Sequence, residues 1–127
     1  MMELDHPAAV IAGQLAAYNA RDLDALMATY AADACQYEHP ATLLASGAAA
    51  IRARMAVRFA EPDLHARLVQ RVVMGNVVID HEMVTRNFPG GLGVVELVAI
   101  YEVKDGKIQS ASVKAGPTYT PALTSPL

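Results

Sequence analysis

Apolar residues in the first half of the chain recur every three or four positions, a spacing that predicts three helices. Asp5 and Asp22 are expected to cap the first two helices, and the first helix is expected to end near residue 20. The third helix is expected to begin at Gly47 and to end before Pro62, because proline interrupts helical hydrogen bonding. The apolar faces of the three helices comprise Val10, Ile11, Leu15 and Tyr18, then Leu23, Leu26, Met27 and Tyr30, then Ile51, Met55 and Phe59.

The second half of the chain is rich in β-branched residues that alternate with polar ones, a pattern typical of strands. Four strands are expected over residues 64–74, 77–86, 94–104 and 107–115, after a short strand over residues 34–39. Gly75-Asn76 and Asp105-Gly106 are turn sequences, so the strands on either side of each are expected to form hairpins. Residues 89–93 are expected to form a glycine-rich loop. The pattern therefore predicts an α+β fold with a mainly antiparallel sheet.

The length and composition of the chain fit one domain with a full hydrophobic core. Residues 1–127 are expected to form a single domain, with residues 1–6 and 116–127 as flexible ends. The chain is 54% hydrophobic and 18% charged, which excludes intrinsic disorder. Its net charge is −3 and its basic residues are scattered singly, so nucleic acid is not an expected partner. No apolar run is long enough for a membrane span and the first residues do not resemble a signal peptide, so we expect no membrane partner and a cytoplasmic location.

The cysteine and histidine content argues against a metal site. Cys35 is the only cysteine, which excludes an internal disulfide bond and a cysteine-based zinc site. The four histidines lack the close spacing of metal ligands. We therefore expect no metal, with metal catalysis at a site assembled from separate elements as a third hypothesis. We also expect no cofactor, because acid–base chemistry needs none.

Polar residues on the predicted strands are the first candidates for chemistry. Along residues 94–104, the alternate set Val95, Leu97, Ala99, Tyr101 and Val103 is expected to face the core. Along residues 77–86, the set that holds Val77, Ile79, Met83 and Thr85 is apolar except for His81. His81 is therefore a candidate functional residue, with a structural histidine as the alternative. Asp80 and Glu82 share the opposite face, which is expected to be a solvated surface or a subunit contact, with paired acid and base chemistry as the alternative.

Gln14 is a second anomaly, because it lies in the apolar stripe of the first helix between Val10 and Tyr18. A buried amide without a partner costs about 1–3 kcal/mol, so Gln14 either borders a polar cavity or lies at the edge of the stripe. Four tyrosines add hydroxyl groups that also require partners when buried, namely Tyr18, Tyr30, Tyr37 and Tyr101. Taken singly, each residue fits an ordinary core. Together they indicate an apolar interior with a few polar groups, as a small-molecule pocket requires.

The end of the first predicted strand carries ionisable groups at Glu38 and His39. In a regular strand they point to opposite faces, and Glu38 shares its face with Gln36, the more polar side. A bulge before Pro40 would reverse this arrangement. Both a catalytic site and a charged strand end that turns into a loop fit these residues.

Several segments resemble the nuclear transport factor 2-like superfamily, in particular its SnoaL-like and ketosteroid isomerase-like branch. These segments are LAAYNARDLDAL at residues 15–26, YAADA at 30–34, Ser46-Gly47 before a helix with Ile51-Arg52, and YEVKDGKI at 101–108. The resemblance implies a cone-shaped, curved, mainly antiparallel sheet wrapped around three helices of the N-terminal half, a cystatin-like roll. It also implies a pocket between helices and sheet, and a homodimer formed through the outer face of the sheet.

The resemblance also implies positions for catalytic groups. Ketosteroid isomerase uses a carboxylate base beside an oxyanion hole made of a tyrosine and a neutral aspartic acid. The base position falls on Glu38, or on His39 if the residue before the proline is matched instead. The tyrosine position falls on Gln14 and the aspartic acid position on Ala99, so this oxyanion hole is missing. We therefore expect a different substrate, with Gln14, Tyr18 or His81 as the substitute donor.

Two functions remain open at this point. The first is isomerisation, cyclisation or dehydration of a small apolar carbonyl compound of a steroid, terpenoid or polyketide type, with Glu38, His39 and His81 as catalytic residues. The second is a non-catalytic ligand-binding or dimerisation module. The expected ligand-binding residues are Gln14, Tyr18, Tyr30, Tyr37, Met55, Phe59, Ala99 and Tyr101. The expected partners are a small apolar molecule and a second copy of the chain.

Overall fold

Three helices pack on one face of a six-stranded sheet in the computed structural model, which describes residues 6–120. The elements are α1 (Pro7–Ala20), α2 (Leu23–Met27), β1 (Tyr30–Glu38), β2 (Thr42–Ser46), α3 (Ala48–Phe59), β3 (His65–Met74), β4 (Val77–Phe88), β5 (Gly91–Lys104) and β6 (Lys107–Tyr119). The sheet is curved and unclosed, with the strand order β2-β1-β6-β5-β4-β3. Only β1 and β6 are parallel among these neighbours. The predicted α+β fold with a mainly antiparallel sheet around three helices is confirmed.

Both predicted hairpins are present, between β3 and β4 and between β5 and β6. Asp105 and Gly106 adopt φ angles of 52° and 75°, as a type I′ turn requires. The loop expected over residues 89–93 is instead mostly strand, since β4 reaches Phe88 and β5 begins at Gly91. Gly93 is needed for packing inside the strand, because a Cβ atom there would lie 2.8 Å from the Phe88 ring.

The N-terminal elements differ from the prediction at their ends. Asp5 lies outside the described residues, and α1 is capped by His6, whose Nδ1 accepts a hydrogen bond from the Ala8 amide. Asp22 caps α2 as expected. Tyr30 does not continue α2 but begins β1, because the Thr29 carbonyl accepts a hydrogen bond from Ile108 at the start of the parallel pairing with β6. Long-range pairing therefore starts β1 earlier than the local pattern predicts, and it adds β2, which was not predicted.

The segment from residue 116 onward was expected to be a flexible end, and its first part is strand. β6 continues to Tyr119, and its last residues pair with Val94 and Val95 of β5. Pro117 is accommodated because β1 pairs with β6 only as far as Val113, which leaves one side of β6 without a strand beyond that residue. Residues 1–5 and 121–127, the other parts of the expected flexible ends, lie outside the described residues.

The two faces of β4 are the reverse of the prediction. Asp80 is fully buried and Glu82 is 6% exposed, so these carboxylates point toward the helices. They lie opposite Ala99 and Leu97 of β5, whose inward direction was predicted correctly. The apolar set of β4 lies on the outer face with His81. The inner carboxylates are tolerated because Asp80 has a cationic partner in β3 and Glu82 borders a cavity.

A buried ion pair between β3 and β4 fixes this arrangement. Arg71 donates from Nε and one terminal nitrogen to the two oxygens of Asp80, at 2.7 and 2.9 Å. The pairing of β3 with β4 shifts by one residue at Val69, between Leu68 and Gln70. Regular pairing from the turn, where Met74 pairs with Val77, places Arg71 opposite Asp80, and the bulge lies beyond this ion pair.

No helix within residues 6–120 has the length and apolar character needed to cross a membrane.

Removing one partner of the buried pair tests its role in stability. Arg71→Gln is expected to lower the free energy of unfolding by about 3–5 kcal/mol, because it leaves Asp80 charged, buried and unpaired. Urea denaturation measures the loss. Arg67→Gln, which removes an exposed charge from the same strand, is the matched control and is expected to change stability by less than about 0.5 kcal/mol.

The double variant Arg71→Met with Asp80→Leu removes both charges and is expected to recover most of the lost stability. A loss below about 1 kcal/mol for Arg71→Gln alone would contradict the structural role of the pair.

Candidate functional site

A cavity of about 270 Å³ lies between the helices and the inner face of the sheet. Its volume is near the lower end of the range of about 300–1,000 Å³ that is typical of small-ligand sites. Its apolar wall includes Leu15, Met55, Val84, Val95, Leu97, Ala99 and Val113. Its polar groups include Gln14, Tyr18, Tyr30, Gln36, Arg54, Glu82 and Tyr101. The cavity therefore combines apolar surface with a few hydrogen-bonding and charged groups.

Most of the residues predicted to bind a ligand line this cavity. They are Gln14, Tyr18, Tyr30, Tyr37, Met55, Ala99 and Tyr101. Phe59 does not line it and instead packs edge-on against the Tyr18 ring, with the ring centroids 5.5 Å apart. Of the two positions predicted for Gln14, a cavity border and the edge of the apolar stripe, the structure shows the first, because Gln14 is buried and lines the cavity. Binding by these residues stays a prediction.

The three residues predicted to be catalytic do not come together. β1 is in regular register with β6 from Cys35 to Glu38, so Glu38 lies on the same face as Gln36, and that face is the inner one. Glu38 is exposed and borders the cavity at its edge, whereas His39 is exposed and does not line it.

His81 lies on the outer face of the sheet, because the faces of β4 are reversed. Its Nε2 lies 2.7 Å from a carboxylate oxygen of Glu96, and both side chains are 35% exposed. The expectation that His81 serves as a donor inside the pocket is therefore wrong. Its imidazole makes a hydrogen bond with Glu96 on the other side of the sheet.

Glu82 is the acidic group that the sequence reasoning assigned to the wrong side of the sheet. It lines the cavity, and no hydrogen-bond donor in the described part of the chain reaches its carboxylate. Burial, together with the negative charge of Asp80, raises the pKa of Glu82 to about 7, against the opposing effect of Arg71. A carboxyl group with this pKa can both accept and return a proton near neutral pH.

One signal for Glu82 was present in the sequence. Asp80 and Glu82 are two residues apart, so they share a face of the strand. Paired acid and base chemistry is the alternative that the sequence offers for these two residues. The apolar character of the other face of β4 favoured the wrong orientation, since the outer face of this sheet is also apolar.

A chain of hydrogen bonds orients the Tyr30 hydroxyl. Arg54 donates to Gln36 Oε1 at 2.8 Å, and Gln36 Nε2 donates to the Tyr30 oxygen at 3.2 Å. Because a guanidinium group can only donate, it fixes the orientation of the Gln36 amide, and Tyr30 then accepts from Nε2. Burial raises the pKa of Tyr30 to about 12, so its hydroxyl proton is retained and is available to a ligand oxygen.

Gln14 supplies a second amide to the cavity. The Tyr101 hydroxyl donates to Gln14 Oε1 at 3.4 Å, which leaves the Nε2 group of Gln14 for a ligand. Burial also raises the pKa of Tyr101, so its hydroxyl remains protonated. The cavity thus offers two neutral donors, from Tyr30 and Gln14, in addition to the Glu82 carboxyl group.

Basic side chains border the cavity on α3 and β4. Arg86 makes a two-pronged ion pair with Glu61, with distances of 2.7 to 3.1 Å, and the Arg58 Nε lies 3.7 Å from the same carboxylate. Arg54 is half-buried, and its only hydrogen-bond partner among the described residues is Gln36.

The described residues hold no group of three or more histidine, cysteine, aspartate or glutamate side chains that could bind a metal ion. That the protein uses neither a metal nor a cofactor stays a prediction.

Comparison with known proteins places this architecture in a family. The family model of the SnoaL-like domain matches residues 11–111. No curated protein matches the chain.

Several solved structures are similar to this chain. An uncharacterised cystatin-fold protein from Novosphingobium aromaticivorans is 26% identical, with a TM-score of 0.77, and the match covers 89% of this chain and 98% of that one. A proposed polyketide cyclase from Sinorhizobium meliloti is 26% identical, with a TM-score of 0.71 and coverage of 89% and 99%. A proposed ketosteroid isomerase from Kribbella flavida is 19% identical, with a TM-score of 0.74 and coverage of 91% and 81%, and this last likeness shows the fold alone.

The raised pKa of Glu82 predicts a pH-dependent effect on stability. The folded protein binds the Glu82 proton more tightly than the unfolded chain, so this group favours folding at pH 5 and the contribution is lost as the pH rises through about 7. Relative to the wild type, Glu82→Gln is therefore expected to gain about 2–3 kcal/mol in free energy of unfolding between pH 5 and pH 8.

Urea denaturation at the two pH values measures this difference. Glu102→Gln, an exposed substitution on β5, is the control and is expected to shift stability equally at both pH values. The same pH-independent behaviour for Glu82→Gln would show that Glu82 ionises like a solvated carboxylate.

Proposed function

The chain belongs to the SnoaL-like domain family, as its sequence resemblance predicted, and within this fold we propose that the cavity binds a small carbonyl compound on which Glu82 transfers a proton. The observation that carries the proposal is a buried carboxyl group with a pKa of about 7 inside a largely apolar cavity. The name of the polyketide cyclase relative also points to carbonyl chemistry. The substrate class is a small, mostly apolar ketone of a polyketide, steroid or terpenoid type.

The proposed step is removal of a proton from the carbon next to the carbonyl group. The ionised Glu82 accepts this proton, and the electron pair of the C–H bond moves to give an enolate. The negative charge that develops on the carbonyl oxygen is stabilised by hydrogen bonds from Tyr30 and from the Gln14 amide. Return of the proton to another carbon completes an isomerisation. In a cyclisation, the enolate carbon attacks a second carbonyl carbon, the π bond of that carbonyl breaks, and the alkoxide formed takes the proton held by Glu82.

Glu82 takes the role that the family resemblance assigned to Glu38 or His39. A base inside an apolar cavity has the raised pKa that neutral-pH catalysis requires, because burial disfavours its charged form. Glu38 is exposed at the cavity edge and His39 lies outside the cavity. Both are therefore controls for the assignment of the base.

A second copy of the chain is the partner that the outer face of the sheet favours. The apolar side chains on this face include Val72, Ile79, Met83, Val98 and Ile100, which surround the polar pair His81 and Glu96, and Val72 is 46% exposed. A face of this kind pairs with itself across a two-fold axis, which buries the same residues on both copies. We propose a homodimer through this face. A cytoplasmic location stays a prediction.

Exchange of carbonyl-adjacent protons with solvent tests the proposed chemistry. In D2O at pH 7, a panel of cyclic enones, aromatic ketones and polyketide-like diketones is followed by NMR for loss of these protons. Glu82→Gln is expected to reduce the catalysed exchange at least 100-fold, because general base catalysis contributes about 10²–10⁴-fold.

In the same assay, Glu38→Gln and His39→Ala are expected to change the rate less than about threefold. If Glu38→Gln abolishes exchange while Glu82→Gln does not, the base is Glu38. If the wild type binds these ketones without exchange, the chain is a ligand-binding module rather than an enzyme.

Sedimentation measurements test the homodimer. Val72→Glu is expected to convert a dimer to a monomer, because it places charge in the apolar outer face without disturbing the core. Val57→Glu is the matched control, since Val57 is 76% exposed on α3, away from that face. A wild-type protein that remains monomeric at all concentrations tested would exclude this interface.

A further inference from the structure

We propose that the ligand of the cavity is a carboxylate-bearing carbonyl compound whose anionic group is bound by Arg54, with Arg58 beside it. This inference rests on the proposed function and specifies its substrate class. It places the anionic group at α3 and the reacting carbon at Glu82 on β4.

Arg54 has unused donors beside the cavity. A guanidinium group carries five N–H bonds, and in the described part of the chain the side chain of Arg54 uses one terminal nitrogen, as a donor to Gln36 Oε1. No carboxylate of a described residue lies within 4.0 Å of its nitrogens, in contrast to Arg52, Arg58, Arg71 and Arg86, each of which has a carboxylate partner. A half-buried cation with free donors that border a cavity is suited to bind an anion from solution.

The charges around Arg54 favour an anion further. Its pKa is lowered by burial and by the positive charges of Arg58 and Arg86, against the opposing effects of Tyr30 and Tyr18. Within residues 6–120, Glu61 is the one acidic group that forms an ion pair with Arg58 or Arg86, and the two arginines share it. Glu38, the exposed acid at the cavity edge, does not approach Arg54 within ion-pair distance. An anionic ligand group would therefore relieve an uncompensated positive charge.

The positions of the two arginines allow both to reach one ligand group. Arg54 and Arg58 are four residues apart on α3, so their side chains leave the same face of the helix, with Cβ atoms about 5–6 Å apart. Both line the cavity. A planar carboxylate fits this arrangement, because its two oxygens accept hydrogen bonds from guanidinium groups in parallel pairs.

The acidic and basic groups of the cavity are separate. No carboxylate oxygen of Glu82 lies within 4.0 Å of an Arg54 nitrogen among the described residues. The Tyr30 hydroxyl is linked to Arg54 through Gln36, and both Tyr30 and Glu82 line the cavity. A ligand with a carboxylate at Arg54 thus presents its carbonyl oxygen to Tyr30 and its acidic C–H bond to Glu82, which describes a compact keto acid.

Matched pairs of acids and amides test the charge requirement. The probes are phenylacetate with phenylacetamide, cinnamate with cinnamamide, and 2-naphthoate with 2-naphthamide, with dissociation constants measured by titration calorimetry at pH 7.5. Within at least one pair, the wild type is expected to bind the carboxylate at least tenfold more tightly than the amide. Arg54→Gln is expected to reduce this preference to less than twofold, and Arg54→Lys to restore part of it.

Arg52→Gln is the control for the change in net charge. Arg52 lies on the same helix but is exposed and pairs with Asp24, so its substitution is expected to preserve the preference for the acid. Equal affinity for acid and amide in the wild type, or a preference that survives Arg54→Gln, would overturn the anion site and leave the proposed carbonyl-binding cavity intact. Binding of neither member of any pair would overturn both.

Discussion

A single buried ion pair sets the orientation of the strand that carries the acidic group of the cavity. Asp80 has no exposed surface, and its two oxygens accept hydrogen bonds from Arg71, which lies opposite it in the register that starts with Met74 and Val77 at the turn. Because side chains alternate along a strand, fixing Asp80 on the inner face also fixes Glu82 there. The charge of Asp80 then helps to raise the pKa of Glu82, so the same pair that orients the strand also tunes its neighbour.

The orientation of each polar group in the cavity follows from which hydrogen bonds it can donate and which it can accept. Because the Arg54 guanidinium can only donate, it holds Gln36 with Oε1 toward Arg54 and Nε2 toward Tyr30. The Tyr30 oxygen accepts from Nε2, so the Tyr30 proton is available to another acceptor. Apolar side chains surround these groups, and in such surroundings hydrogen bonds and charges act more strongly than in water. A small set of polar contacts is therefore sufficient to orient a ligand in a cavity of this size.

Local patterns predicted the features that depend on near neighbours in sequence. The three helices, the turns at Gly75-Asn76 and Asp105-Gly106, and the inward direction of Ala99 and Tyr101 follow from periodicity and turn chemistry. The role of Gln14 as a cavity-lining residue was also predicted from helical periodicity, because its amide interrupts the apolar stripe of the first helix.

The features that were missed depend on contacts between distant segments. Alternation along β4 separates two faces but does not say which one is inner, and here both faces carry apolar residues. The inner face is the one on which Asp80 pairs with Arg71 and Glu82 borders the cavity, and these are contacts that alternation along β4 does not show. β2 and the early start of β1 likewise depend on pairing with other strands. Neighbouring residues in the sequence therefore predict neither the inward direction of Glu82 nor the exact edge of the cavity.

The parallel pairing of β1 with β6 has a consequence for the order of folding on the ribosome. Tyr30 pairs with Ile108 and Glu38 with Val113, so the wall that carries Gln36 has no neighbour on one side until β6 has been synthesised. Contacts between such distant segments form slowly, because a long loop must close first. The nascent chain therefore exposes the surface that later lines the cavity to the surrounding solution, including any chaperone present, until β6 has left the exit tunnel.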